Sequence, residues 1–181
     1  MWYVMQVVSG QESRTVLLLE RMISEECLEQ CFVPMRRLAK KFHGTWNEVT
    51  ERLFPGYVFL VTERPQLLYE ELKHVPALTK ILGKCEEYFT PLPGRDVKML
   101  QRIQAQKTVE ISQVAVEEGN SIRIISGPLQ NMKGKIKKIN LHKRIAKVEM
   151  DFMGSRRVVY LGIEIMEKSK PQRERVTETD V

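Results

Sequence analysis

A chain of 181 residues with 43% hydrophobic and 29% charged side chains carries enough apolar material to build a core, which excludes wholesale disorder. At common domain sizes of about 100 to 150 residues it forms one domain or two small ones. Its 29 Lys and Arg against 23 Asp and Glu leave a formal charge of +6, which favours a polyanionic partner without specifying one. No apolar run approaches the roughly 20 residues that span a bilayer, and Met1-Trp2-Tyr3-Val4 lacks the basic start of a secretory signal, so a cytoplasmic protein with no membrane partner is expected.

Trp2–Val8 reads as a strand, and Ser9 with Glu12 predicts a capping box at a helix start. In that helix Thr15, Leu18, Leu19, Met22 and Ile23 fall on one stripe and read as core. Cys31–Met35 reads as a second strand, Arg36–Arg52 as a polar hairpin, and Phe54–Leu60 as the strand that follows. Pro65 suits the first turn of a helix through Leu72, where its missing N–H is not needed. Leu78–Leu82 reads as a short edge strand, and Pro93–Gln104 as a helix with Val97, Leu100 and Ile103 inward. This order predicts an α+β unit over residues 1–104.

Within it, Leu53-Phe54-Pro55-Gly56-Tyr57-Val58-Phe59-Leu60 is the most informative run. Successive strand residues face opposite sides, so Tyr57 and Phe59 share one face while Val58 and Leu60 share the other. Both faces need an apolar cover. One is expected to be the chain's own helices, and the other an open hollow for a partner.

Residues 105–115 are polar, lack an apolar stripe and read as a linker. Beyond them the period becomes two: Ile122 and Ile124 alternate with Ser121 and Arg123, and Ala146, Val148, Met150 and Phe152 with Lys147, Glu149 and Asp151. Turn residues at short intervals then predict a small β-barrel over residues 116–168. Gly134 reads as relief of backbone crowding at a bend. Residues 169–181 are charged and poor in apolar side chains, and read as a disordered tail.

Enzymatic chemistry finds no foothold: no Gly-rich phosphate loop, no nucleophile elbow and no His-flanked carboxylate pair is present. His43, His74 and His142 stand at no ligand spacing, and Cys27, Cys31 and Cys85 suggest reduced thiols rather than a disulfide or a zinc site. No cofactor and no metal are expected.

The run Phe54-Pro55-Gly56-Tyr57-Val58-Phe59 resembles the signature of the NusG family of transcription elongation factors. Trp2-Tyr3-Val4 with Ser9-Gly10-Gln11-Glu12 is similar to that family's opening strand and first turn. Glu118-Gly119-Asn120-Ser121-Ile122-Arg123-Ile124, Ser126-Gly127-Pro128-Leu129 and Gly134-Lys135-Ile136 are similar to its closing KOW motif, with isoleucine where valine is usual. The resemblance implies an NGN-like antiparallel sheet flanked by helices, joined to a KOW barrel of SH3-like type. It also implies a monomeric antiterminator, a specialised paralogue of the LoaP type.

Three sites are implied. By motif match Val4, Phe54, Tyr57, Phe59 and Ile81 line the hollow that docks on the coiled coil of the RNA polymerase clamp; the alternative is that the domain's own helices bury all five. Arg36, Arg37, Lys40 and Lys41 supply phosphate contacts to a nascent RNA hairpin or an exposed DNA strand, with Phe42, His43 and Trp46 for stacking, against the plainer reading of a solvated hairpin. Lys133, Lys135, Lys137, Lys138, His142, Lys143 and Arg144 form a basic run on the barrel, fitted to a ribosomal protein, a termination factor or only to water. Two other readings are a housekeeping NusG coupling polymerase to the ribosome or a termination factor, and a ribosome-associated KOW protein that binds RNA.

Overall fold

The structure, a computed structural model, describes residues 1–76, 78, 89–103, 107–117 and 121–166. Among these the order is β1 (Trp2–Gln6), α1 (Glu12–Met22), β2 (Gln30–Phe32), β3 (Met35–Phe42), β4 (Thr45–Arg52), β5 (Tyr57–Val61), α2 (Pro65–Lys73), β6 (Phe89–Pro91) and α3 (Gly94–Ile103). There follow β7 (Thr108–Val109), β8 (Ser112–Val116), β9 (Ile122–Ser126), a 3-10 helix (Pro128–Lys135), β10 (Ile136–Asn140), β11 (Ile145–Phe152) and β12 (Ser155–Ile165). The fold is α+β, as expected. No described helix is long and apolar enough to cross a membrane.

The first sheet has the order β2-β5-β1-β6, with β5 antiparallel to both β1 and β2. The alternation expected for β5 is present. Val58 and Leu60 pack with Met5 against Leu19 of α1, Ile23 just beyond it, and Leu68 and Leu72 of α2. Phe59 faces away from these helices, and its register partner Val4 shares that side. The helix stripe differs in one respect: Met22 is exposed, and the inward line is Glu12, Thr15, Leu19 and Ile23.

The capping box does not form. Gln11 occupies the N-cap without a side-chain cap. Glu12 instead bends back to accept from the Gly10 amide at 2.8 Å and reaches across to the Gly56 amide at 2.7 Å. Arg52 Nε stands 2.8 Å from its other oxygen, so this fully buried carboxylate ties the first helix to the Pro55-Gly56 turn.

β3 and β4 form the expected hairpin in unbroken register from Met35↔Arg52 to Phe42↔Thr45. Its two-residue turn places His43 at φ 47° and Gly44 at φ 86°, the left-handed pair that matches the twist of the flanking strands. Two strands lie inside the stretch expected to be linker. Thr108–Val109 adds to β3 in parallel, and Ser112–Val116 pairs with both β9 and β12. The edge strand expected over Leu78–Leu82 lies outside the described residues except for Leu78, which is buried.

The C-terminal unit is a five-stranded sheet of order β10-β11-β12-β8-β9. Ala146, Val148, Met150 and Phe152 are all buried, as the alternation along β11 predicts. Gly134 is not crowded: a Cβ there would meet nothing within 4 Å. The tight approach is at Gly162 of β12, where a Cβ would lie 2.5 Å from the Arg37 carbonyl oxygen.

Candidate functional site

The hollow expected to be open on the first sheet is covered, and the cover is the second unit. Val4, Phe32, Phe54 and Phe59 join Val114, Leu129, Met150 and Phe152 in one continuous core. Phe152, at the end of β11, stacks on Phe54 with ring centroids 4.2 Å apart and planes 3° from parallel. It also lies 6.1 Å from the Phe59 ring. The structure thus brings Val4, Phe54, Tyr57 and Phe59 onto one face, while Ile81 lies outside the described residues. An aromatic face left bare by α1 and α2 needs an apolar cover, and the Phe152 ring of the second unit supplies part of it, in the same core as Leu100 of α3.

Polar contacts ring this apolar seam. Arg157 donates to the Tyr57 hydroxyl at 3.0 Å, and its guanidinium stands 5.1 Å from that ring's centroid. The Met153 amide donates to the buried carboxylate of Asp96 at the start of α3, at 2.9 Å. Arg36 of the hairpin donates to the Tyr160 carbonyl at 2.9 Å. Arg36 Nε and Arg157 Nε are buried without a hydrogen-bond partner among the described residues. Sequence reasoning placed Phe152 inward but had no signal for its stack on Phe54, nor for Asp96, Arg157 or Tyr160, because these contacts exist only where two units meet.

The basic hairpin is less free than its sequence suggests. Arg36 pairs with Glu51 at 3.1 Å and its side chain is only 15% exposed, so it serves the fold before any phosphate. Lys40 pairs with the same carboxylate. The Lys40 hydrogen bond and the Arg36 bond together outweigh burial and hold Glu51 below the ordinary carboxylate range. Arg37 sits between Glu48 and Glu110 at 3.7 and 3.3 Å. Lys41, Phe42 and His43 project from the hairpin tip into solvent, with Phe42 50% exposed.

The basic run of the C-terminal unit splits in two. Lys135, Lys137 and Lys138 lie exposed on and beside β10, where Lys137 pairs with Glu149 at 3.1 Å. A lysine hydrogen bond of that kind keeps the Glu149 carboxyl below its usual range. Lys133 belongs to the 3-10 helix, and its side chain lies outside the described residues. His142, Lys143 and Arg144 sit instead in the β10–β11 turn, facing the hairpin. The Arg144 guanidinium stands 4.2 Å above the centre of the Trp46 ring. A groove of about 770 Å³ runs between hairpin and turn.

Comparison with known proteins agrees with this architecture. Residues 1–101 match the NusG family model, described as transcription termination factor NusG, and residues 118–151 match the KOW motif. The transcription termination/antitermination protein NusG of Haemophilus influenzae is 26% identical over 92% of this chain and 93% of its own. That of Halalkalibacterium halodurans is 28% identical over 92% and 97%, and that of Thermus thermophilus 26% identical over 84% and 90%. A solved structure concerned with domain interaction in Thermotoga maritima NusG superimposes with a TM-score of 0.52 at 22% identity, covering 89% of this chain and 92% of that one, a likeness of fold. The NusG family model spans the first sheet, its helices and the hairpin, and the KOW match falls on the sheet beyond, so this chain belongs to the NusG family of transcription termination and antitermination factors.

Proposed function

We propose that the chain is a cytoplasmic transcription elongation factor that binds RNA polymerase through the aromatic face of its first sheet and suppresses pausing and termination as a processive antiterminator. The observation that carries this reading is the face itself. Val4, Phe54 and Phe59 face away from α1 and α2 and share a core with Leu100 of α3 and with Val114, Met150 and Phe152 of the C-terminal unit, so the face is apolar and part of its cover comes from outside its own unit. The coiled coil of the polymerase clamp, a paired helix with an apolar ridge, is the proposed occupant. Docking then requires the C-terminal unit to leave. A factor that binds the closed, processive state of polymerase more tightly than the paused state shifts the population toward elongation, with no chemistry of its own.

The exposed hairpin tip, with Lys41 and the Phe42 ring, supports contact with a nascent leader RNA hairpin or an exposed DNA strand. End-to-end similarity to NusG of Haemophilus influenzae favours a second reading, a housekeeping factor that couples polymerase to the ribosome or a termination factor through Lys135 and Lys138 of the barrel. A ribosome-associated KOW protein is the weakest reading, because it has no use for residues 1–101.

Two substitutions with opposite signs test the docking face. Tyr57→Asp should lower the affinity of the full chain for RNA polymerase by about tenfold or more, the scale of an interface anchor. Arg157→Ala removes a contact made only in the closed form and should raise that affinity. Equal binding by wild type and both variants in a quantitative pull-down, with circular dichroism unchanged, would remove the reading.

A further inference from the structure

We propose that the groove between the β3–β4 hairpin and the β10–β11 turn binds a single-stranded nucleic acid, and that residues of both units hold the same strand, so that the site exists only in the closed molecule. The inference rests on the nucleic-acid reading of the hairpin and adds to it a second wall and a conformational requirement.

The groove has the two components that such a ligand needs. Its lining is partly apolar and ringed, with Leu38, Leu141 and Ile145 as well as Phe42, Trp46 and Tyr160. Cations line it from both units, Lys40 and Lys41 from the hairpin and Lys143 and Arg144 from the turn. Among the described residues no carboxylate lines it, although Lys40 is paired with Glu51. Phe42 and Tyr160 are 50% and 42% exposed, so open ring surface is available for bases while phosphates lie along the rims. The Arg144 guanidinium already lies over the Trp46 ring across the groove, a cation–π contact between the two units. A duplex would engage the cations but leave the ring faces unused, which favours an unpaired strand. An acidic peptide would satisfy the charge but not the ring surface.

A ligand that touches both walls binds the closed form better than the open one, and by reciprocity opposes opening. Nucleic acid held by both walls and polymerase on the aromatic face are therefore antagonistic ligands, so the two-walled site belongs to the free factor and only the hairpin side is left for nucleic acid in the docked one.

Fluorescence anisotropy with labelled oligouridylate and oligothymidylate of about a dozen nucleotides tests this on the full chain, with an oligoglutamate peptide as control. Lys41→Ala and Lys143→Ala should each weaken binding and reduce the slope of log affinity against log salt by about 0.7. Gly162→Val alters no groove side chain but forces β12 away from the Arg37 carbonyl, and should weaken binding about fivefold or more. Arg157→Ala, which also loosens the seam, should act in the same direction if Gly162→Val fails to fold. A preference between the two oligonucleotides supports the site and says which nucleic acid it takes. Loss of binding with Lys41→Ala alone would overturn the two-walled site and leave the hairpin reading standing. No effect from any variant would overturn both, and binding of oligoglutamate in place of the oligonucleotides would reassign the groove to an acidic protein.

Discussion

Glu12 shows how far one buried side chain can depart from its sequence motif. Spacing from Ser9 suggests a local cap, yet the carboxylate serves the Gly56 amide 44 positions away, because burial beside the Pro-Gly turn leaves that amide with no water to bond. Burial alone would raise its pKa. The Gly56 and Gly10 amides, its own amide and Arg52 outweigh that and hold it below the ordinary value of 4.5. A depressed folded-state pKa means that stability from this group is present above the unfolded value and lost as pH falls through the folded one. Glu12→Ala should therefore destabilise the N-terminal unit by about 2 to 4 kcal/mol in urea melts near neutral pH, since two amides lose their partner. The wild-type advantage should shrink below pH 4.5. Cys31 is the opposite case, a thiol that burial and the nearby Glu20 push up to about 12, consistent with an inert core role.

Among the elements, the hairpin was the most legible, because a two-residue turn with glycine second leaves few alternatives for the strands around it. The β11 alternation was equally plain. Thr108–Val109 was not legible, since a two-residue parallel strand has no period to detect and takes its place only from β3. Ser112–Val116 escaped notice because its polar positions face a neighbouring strand rather than solvent: Ser126 donates to Gln113 at 2.9 Å. The hairpin also shows why a count of basic residues overstates a binding surface. Glu51 neutralises two of its four cations, so Glu51→Gln should release Lys40 and steepen the salt dependence of oligonucleotide binding by about 0.7, measured by anisotropy. An unchanged slope would mean that Lys40 points away from the ligand.

At the scale of the molecule, the two-unit plan and the two-sided apolar strand were readable, while the packing of one unit on the other was not. Phe152 sits in a strand whose inward alternation fully accounts for its burial, and nothing in its neighbours announces that its ring continues onto Phe54. The same holds for Arg157, one of several charges on a barrel strand until Tyr57 is placed beneath it. The seam between the units combines a favourable aromatic stack, about 0.5 to 1.5 kcal/mol beyond area burial, with two guanidinium nitrogens, Arg36 Nε and Arg157 Nε, that are buried without a hydrogen-bond partner among the described residues. The proposed docking on this face would have to break that seam.

Hydrogen exchange of the full chain with and without RNA polymerase tests this most directly. Docking on the aromatic face requires that the Met153 amide lose its Asp96 acceptor while β5 gains a cover, so exchange around residues 152–154 should accelerate and that of Tyr57–Val61 should remain slow or slow further. Bound polymerase that leaves the Met153 amide as protected as in the free chain would show that the factor docks elsewhere and that the covered face is simply core.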